Sequence, residues 1–317
     1  MTERSGPIFV IGISQRCGTH YLYDLLIRHP DCRPALGRTS WEGSWEDQLL
    51  RFADLLADYA DRVVASNRLN DASLRATMLR NIGAGLLDTL RTVDPDVAPD
   101  DPRRPVTKTP LTDHLELFTD LFGSASLVLL VRDPRATVAS ALRTFGGPAE
   151  KWLQTWRSGA RRIAAFVEAH PGAAVVVRYE DLYDDPAGAM TRICSDVGLE
   201  PGRYEHAEIP VRGSSELGGR PAAINWDPVP RTDDFRPLAR GDQLPAPVAA
   251  RLNWLAATEM EQFGYGGPPA EPALLHAFAE HARDARHATA ETVGVVTDGL
   301  HRLRANRSRR GGSERRR

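Results

Sequence analysis

Apolar residues in this chain follow two patterns. Short unbroken runs rich in β-branched residues predict buried strands, and apolar positions three and four apart predict helices. The first run is Ile8 to Ile11, ended by Gly12. A polar turn from Ser14 to Thr19 follows, and Tyr21, Leu22, Leu25 and Leu26 then recur at helical spacing until Pro30. The strongest run is Ser126 to Val131, SLVLLV, whose apolar character predicts a strand covered on both faces. Ala173 to Val177 predicts another strand, and Val106-Thr107 a very short one.

Helical spacing covers Glu46 to Val64, Ala72 to about Arg91 after an Asp71 cap, Asp113 to Phe122, Pro148 to His170 and Pro247 to Phe263. Asp133-Pro134 and Asp185-Pro186 each predict a helix start, with aspartate as N-cap and proline at the first helical position. His29 to Trp45 and Asp94 to Pro105 read as loops. Leu199 to Pro245 is long, irregular and rich in Gly, Pro and Ser, as functional loops are. Strands alternating with helices predict an α/β fold: a central parallel β-sheet flanked by helices on both faces. Pro268, Pro269 and Pro272 mark a break, so residues 1–267 form the main domain. Residues 268–305 read as a C-terminal helical extension, and 306–317 as a basic, disordered tail.

Composition narrows the function. The net charge of −2 over 317 residues argues against nucleic-acid binding by the main domain. No apolar run approaches membrane-spanning length, and the N-terminus lacks a signal peptide's apolar core. Three cysteines, Cys17, Cys32 and Cys194, make neither a disulfide framework nor a metal spacing, and a cytoplasmic home is expected. Of 40 basic side chains only Lys108 and Lys151 are lysines. The chain uses arginine almost everywhere, so a lysine asks for a reason.

The turn after the first strand aims backbone N–H groups and a helix's positive end at one point, where an anion sits. A phosphoryl-transfer P-loop would read GxxxxGK[ST]. Here Gly12 and Gly18 are one residue too far apart, and Thr19 stands in the lysine's place. The basic residue is Arg16. The order Arg16-Cys17-Gly18-Thr19-His20 resembles the 5′-phosphosulfate loop of sulfotransferases, [RK]-S-G-T-[ST]. Cys17 and His20 depart from it, each removing a hydroxyl while leaving the backbone donors.

Further segments carry the same resemblance, from about Ile8 to Tyr265. Arg132 ends the strongest strand and Ser140 lies eight residues on, the pattern with which that family holds the 3′-phosphate of 3′-phosphoadenosine 5′-phosphosulfate (PAPS). A phosphate dianion suits a forked guanidinium plus a hydroxyl. Lys108-Thr109-Pro110 is similar to a segment whose lysine reaches toward the sulfuryl group. Arg178 to Leu182 looks like the family's RYEDL segment and reads mainly as structural. Ser214 or Ser215, with an arginine among Arg212, Arg220, Arg231 and Arg240, belongs to a late loop of the type that closes over the donor.

The resemblance implies a P-loop-like fold and PAPS-dependent transfer, without a metal, to a hydroxyl of a small-molecule, sugar or natural-product acceptor. Arg16, Lys108 and the amides of Cys17 to His20 would stabilise charge on the bridging oxygen. Glu42 is the favoured general base, with Glu46 and His20 as alternatives, and Trp41 and Trp45 are candidates to line the acceptor pocket. The arginine bias suggests a GC-rich bacterial genome and a secondary-metabolite acceptor. Two rivals stay open: a P-loop phosphoryl-transfer enzyme, and a non-catalytic nucleotide-binding protein working through its basic C-terminus. A homodimer through the C-terminal helix is also left open.

Overall fold

The computed structural model describes residues 6–35, 46–66, 72–92, 96–98, 100–206, 208–213, 227–233, 235–266, 282–284 and 286; for 46–54 and 72 it describes the backbone alone. The chain divides into two compact units, Met1–Gly267 and Pro268–Arg317. In the second, residues 282–284 and 286 are helical, and the rest of the expected C-terminal helix and tail lies outside the described residues.

The first unit is built on five parallel strands: β1 (Ile8–Gly12), β2 (Cys32–Pro34), β3 (Arg104–Thr109), β4 (Ser126–Val131) and β5 (Ala174–Arg178), in the order β2-β3-β1-β4-β5. β1 and β4 are buried along their whole length, as their unbroken apolar runs require. β5 closes one edge and is half-covered. Helices α1 (Thr19–Leu26), α2 (Glu46–Ser66), α3 (Ala72–Thr92), α4 (Phe118–Phe122), α5 (Pro134–Phe145), α6 (Ala149–Ala169), α7 (Tyr179–Asp184), α8 (Pro186–Val197), α9 (Ala246–Leu255) and α10 (Ala257–Gln262) flank the sheet. α6 buries Trp152, Trp156, Ala160, Ile163 and Phe166, the stripe that a 3.6-residue period predicts. The aspartate caps before α5 and α8 form as expected, Asp133 accepting from the Arg135 N–H and Asp185 from the Gly188 N–H.

The structure extends three expectations. β3 starts at Arg104, inside the segment read as a loop. Arginine and proline hide a strand from a hydropathy reading, yet Arg104 is buried and donates to the carbonyls of Gly6 (2.7 Å) and Val197 (2.6 Å) and to Ser126 Oγ (2.7 Å). β2 falls within a second expected loop and is too short to carry an apolar run. The helix expected from Pro247 to Phe263 divides at Ala256 into α9 and α10.

Register positions the site. Ile11 pairs with Thr109, Gly12 with Leu130, and Val131 with Arg178, so β1, β3, β4 and β5 end nearly level. After β1 the chain moves toward β2, whereas after β4 it moves toward β5. Neighbouring strands with opposite exits open a crevice at their carboxyl ends, where ligands of open α/β sheets bind.

Candidate active site

A cavity of about 610 Å³ occupies that crevice. Its wall is drawn from the loop after β1, from α1, from the ends of β3 and β4, from α7 and from the late loop. Arg16, Gly18, Thr19, His20, Lys108 and Arg132 all line it, so residues more than a hundred positions apart in sequence meet at one place.

The loop after β1 is shaped by two left-handed residues, Arg16 (φ 70) and Gly18 (φ 103). Glycine takes that conformation freely, whereas arginine does so at a cost. Gly18 is required for a second reason: a Cβ there would run into the Tyr179 ring. The turn ends in α1, whose first N–H groups have no intrahelical acceptor and point out of its start. Cys17 is fully buried, its thiol packed where a Cβ on Gly12 would sit, and burial pushes that thiol up from its usual range. Its side chain is core; only its backbone belongs to the turn.

Arg132 follows the last residue of β4 and is 2% exposed. Its guanidinium donates to the carbonyls of Arg16 (3.0 Å) and Pro237 (2.6 Å) and lies 4.2 Å from the centre of the Tyr179 ring. The Trp156 indole N–H holds the Arg132 carbonyl at 2.9 Å. Burial pulls the guanidinium below its usual value; Tyr179 and Glu180 oppose this, while the neighbouring Arg240 adds to it. Arginine stays charged regardless. Glu180 in turn accepts from the Asp133 N–H (2.9 Å) and from the Tyr265 hydroxyl (2.8 Å). The RYEDL segment therefore supports the site through Tyr179 and Glu180 from beneath.

Ser140, on α5, is the focus of two guanidinium groups. Its Oγ accepts from Arg16 Nε at 3.2 Å and from Arg240 at 3.4 Å. Both lone pairs are then engaged, and the hydroxyl hydrogen is left to donate. Arg16 also donates to the Gly213 carbonyl at 2.8 Å, which fastens the late loop to the first turn. The neck of that loop is closed by Val211 and Val229, which exchange two backbone hydrogen bonds.

Among the described residues, six cations line the cavity: Arg16, Lys108, Arg132, Arg212, Arg231 and Arg240. Two carboxylates face them, Asp24 and Glu208. Such an excess, with Arg132 and Arg240 nearly buried, suits an anionic ligand carrying more than one charge. No group of three or more His, Cys, Asp or Glu side chains is placed to hold a metal ion among these residues.

Sequence reasoning left the late-loop arginine undecided. The structure brings Arg240 to Ser140 and Arg231 onto the Tyr183 ring, 4.1 Å from its centre. Asp24 was missed, although an acidic residue inside the apolar stretch Tyr21 to Leu26 was a visible signal. Glu42, Trp41, Trp45, Ser214, Ser215 and Arg220 lie outside the described residues. α2 starts at Glu46, so that carboxylate belongs to a helix's first turn.

Residues 7–202 match the model of a sulfotransferase family. A sulfotransferase domain from the Synechococcus PCC 7002 olefin synthase is 20% identical, over 83% of this chain and 96% of that one, with a TM-score of 0.50. A sulfotransferase domain from the curacin biosynthetic pathway is 19% identical, over 83% and 99%, with a TM-score of 0.47. A mouse sulfotransferase complexed with PAP is 13% identical, over 81% and 85%, with a TM-score of 0.43. A search of curated proteins by sequence found no match.

Proposed function

This chain belongs to the sulfotransferase family, and on that premise we propose that its cleft binds PAPS and transfers the sulfuryl group to a hydroxyl of a small-molecule acceptor. The observation that carries the reading is the meeting of Arg16, Arg132, Ser140 and Arg240 beside the start of α1, with Lys108 on the same wall. PAPS carries two separated anionic groups, and the site offers two sets of donors. The helix start and the Arg16 loop suit the 5′-phosphosulfate. The Ser140 hydroxyl, with Arg132 and Arg240, suits the 3′-phosphate.

Transfer moves SO3 in line between two oxygens, and charge grows on the oxygen that joins phosphorus to sulfur. Lys108 and the backbone N–H groups of Gly18 to His20 act there as preorganised donors. Lys108 sits 5% exposed in β3, where a compact ammonium fits a wall between packed strands better than a fork. Glu42 stays a candidate base, and Ser214 and Ser215 stay candidate donor contacts. The three cysteines are free and buried, in keeping with a reducing cytoplasm. A small-molecule acceptor fits the cavity's size. No helix of the described residues is long and apolar enough to cross a membrane. Any homodimer through the C-terminal helix rests on a segment of which residues 282–284 and 286 alone are described.

The loop's chemistry separates this reading from phosphoryl transfer, because Thr19 replaces the P-loop lysine that works with magnesium. Sulfate release or transfer from 35S-labelled PAPS should therefore proceed at full rate with EDTA present, and ATP should not serve as donor. Turnover that requires magnesium and consumes ATP would overturn the proposal.

A further inference from the structure

Asp24 stands in the second turn of α1, the helix whose first turn carries the donor loop's last residues. Asp24 and Leu25 follow Tyr21 by three and four residues, which turns them toward its side of the helix, and all three line the cavity. Its side chain is 13% exposed, whereas Glu208, the cavity's other described carboxylate, is exposed. Removing a carboxylate from water on an otherwise apolar helix face costs stability, so the position is not explained by packing. Two cations face it from other elements. Lys108 acts on it from β3, and Arg212 Nε lies 3.8 Å from Oδ2 from the late loop, an ion-pair distance too long for a hydrogen bond.

We propose that Asp24 is the catalytic base that takes the proton of the acceptor hydroxyl, a role that rests on the PAPS reading above. An acceptor oxygen lone pair forms the new O–S bond. The bond between sulfur and the bridging oxygen breaks, and its electron pair leaves with 3′-phosphoadenosine 5′-phosphate (PAP). The acceptor proton moves to an Asp24 carboxylate oxygen and from there to solvent after the sulfate ester departs. The base and the cation that serves the leaving oxygen must lie on either side of the travelling sulfur, and Asp24 lies within electrostatic reach of Lys108. Burial raises the Asp24 pKa to about 6, with Arg212 and Lys108 pulling the other way. A base of that strength is ionised at neutral pH yet accepts a proton more readily than an exposed aspartate.

The test compares two acceptors, 4-nitrophenol, which ionises near neutral pH unaided, and 2-naphthol, which does not. Asp24→Asn should bind PAP as the wild type does. It should lose roughly a hundredfold in transfer to 2-naphthol, at least ten times more than its loss with 4-nitrophenol. Wild-type transfer to 2-naphthol should rise with pH through a midpoint near the Asp24 value. Arg212→Ala should move that midpoint upward, because the guanidinium favours the ionised carboxylate. Besides Lys108 and Arg212, the cavity wall carries Arg16, Arg132, Arg231 and Arg240, His20 and His206, Glu208, and Tyr21, Tyr179, Tyr183 and Tyr204, and Asp24→Asn should abolish the acid limb while all of these remain.

Equal losses with both phenols, or a selective loss in Glu42→Gln with Asp24→Asn unaffected, would overturn the assignment. If the wild type sulfates neither phenol, acceptor-free sulfate release from PAPS replaces the comparison. Asp24→Asn must then cost at least tenfold with water as acceptor, or the assignment fails. Failure of the wild type to bind PAP would instead overturn the donor reading, and this assignment with it.

Discussion

Replacing Lys108 with alanine is expected to lower sulfuryl transfer by a factor on the order of a hundred or more, the usual consequence of removing a donor to a developing oxyanion. Lys108 is one of two lysines in a chain with 40 basic side chains, and it is nearly buried at the carboxyl end of β3. A buried ammonium is costly to maintain, and a lysine in a chain that otherwise uses arginine is the reason for proposing a role for a compact point charge here. Because the charge it serves is largest in the transition state, PAP affinity should change by no more than a few-fold. Steady-state rates with PAPS and calorimetry with PAP check both halves. Wild-type turnover in Lys108→Ala would show that the residue has no part in the reaction.

Arg132→Ala is expected to reduce the preference for PAP over AMP by roughly tenfold to a hundredfold, the worth of hydrogen bonds to a charged group. The structure adds a reason to read the ratio and not the PAP affinity alone. Arg132 also ties the Arg16 carbonyl to the Pro237 carbonyl, so its loss loosens the loop that both nucleotides use. AMP affinity should therefore fall as well, by less. Arg132→Lys should not rescue the preference, since a lysine cannot hold two carbonyls, stack on Tyr179 and still offer a donor to phosphate. An unchanged ratio in competition calorimetry would show that the 3′-phosphate is read elsewhere, with Arg240 the first residue to examine.

The sheet was legible where strands are buried on both sides. Ile8 to Gly12 and Ser126 to Val131 announce themselves because a strand covered on both faces is almost wholly apolar. β2 was not legible: three residues at an edge carry no period. β3 was half-legible, because Arg104 is held inside by partners far away in sequence, the Gly6 and Val197 carbonyls and Ser126. The candidate site follows the same logic. Arg16, Lys108, Arg132 and Ser140 could be named through their resemblance to family motifs, the first three at or just past strand ends and Ser140 on the helix that follows β4. Which late-loop arginine approaches Ser140 could not, because a long loop without regular structure encodes no distance. Asp24 was hidden for another reason. Its weight comes from Lys108 and Arg212, which join it only when β3 and the late loop are folded around α1.

The central claim is that this cleft is built for an adenosine nucleotide with anionic groups at both its 3′ and 5′ positions. Calorimetric titration of the wild-type protein with PAP and with AMP tests it most directly. PAP should bind at least roughly tenfold more tightly, the contribution of one charged hydrogen-bonded group. Equal affinity for the two nucleotides would contradict the account.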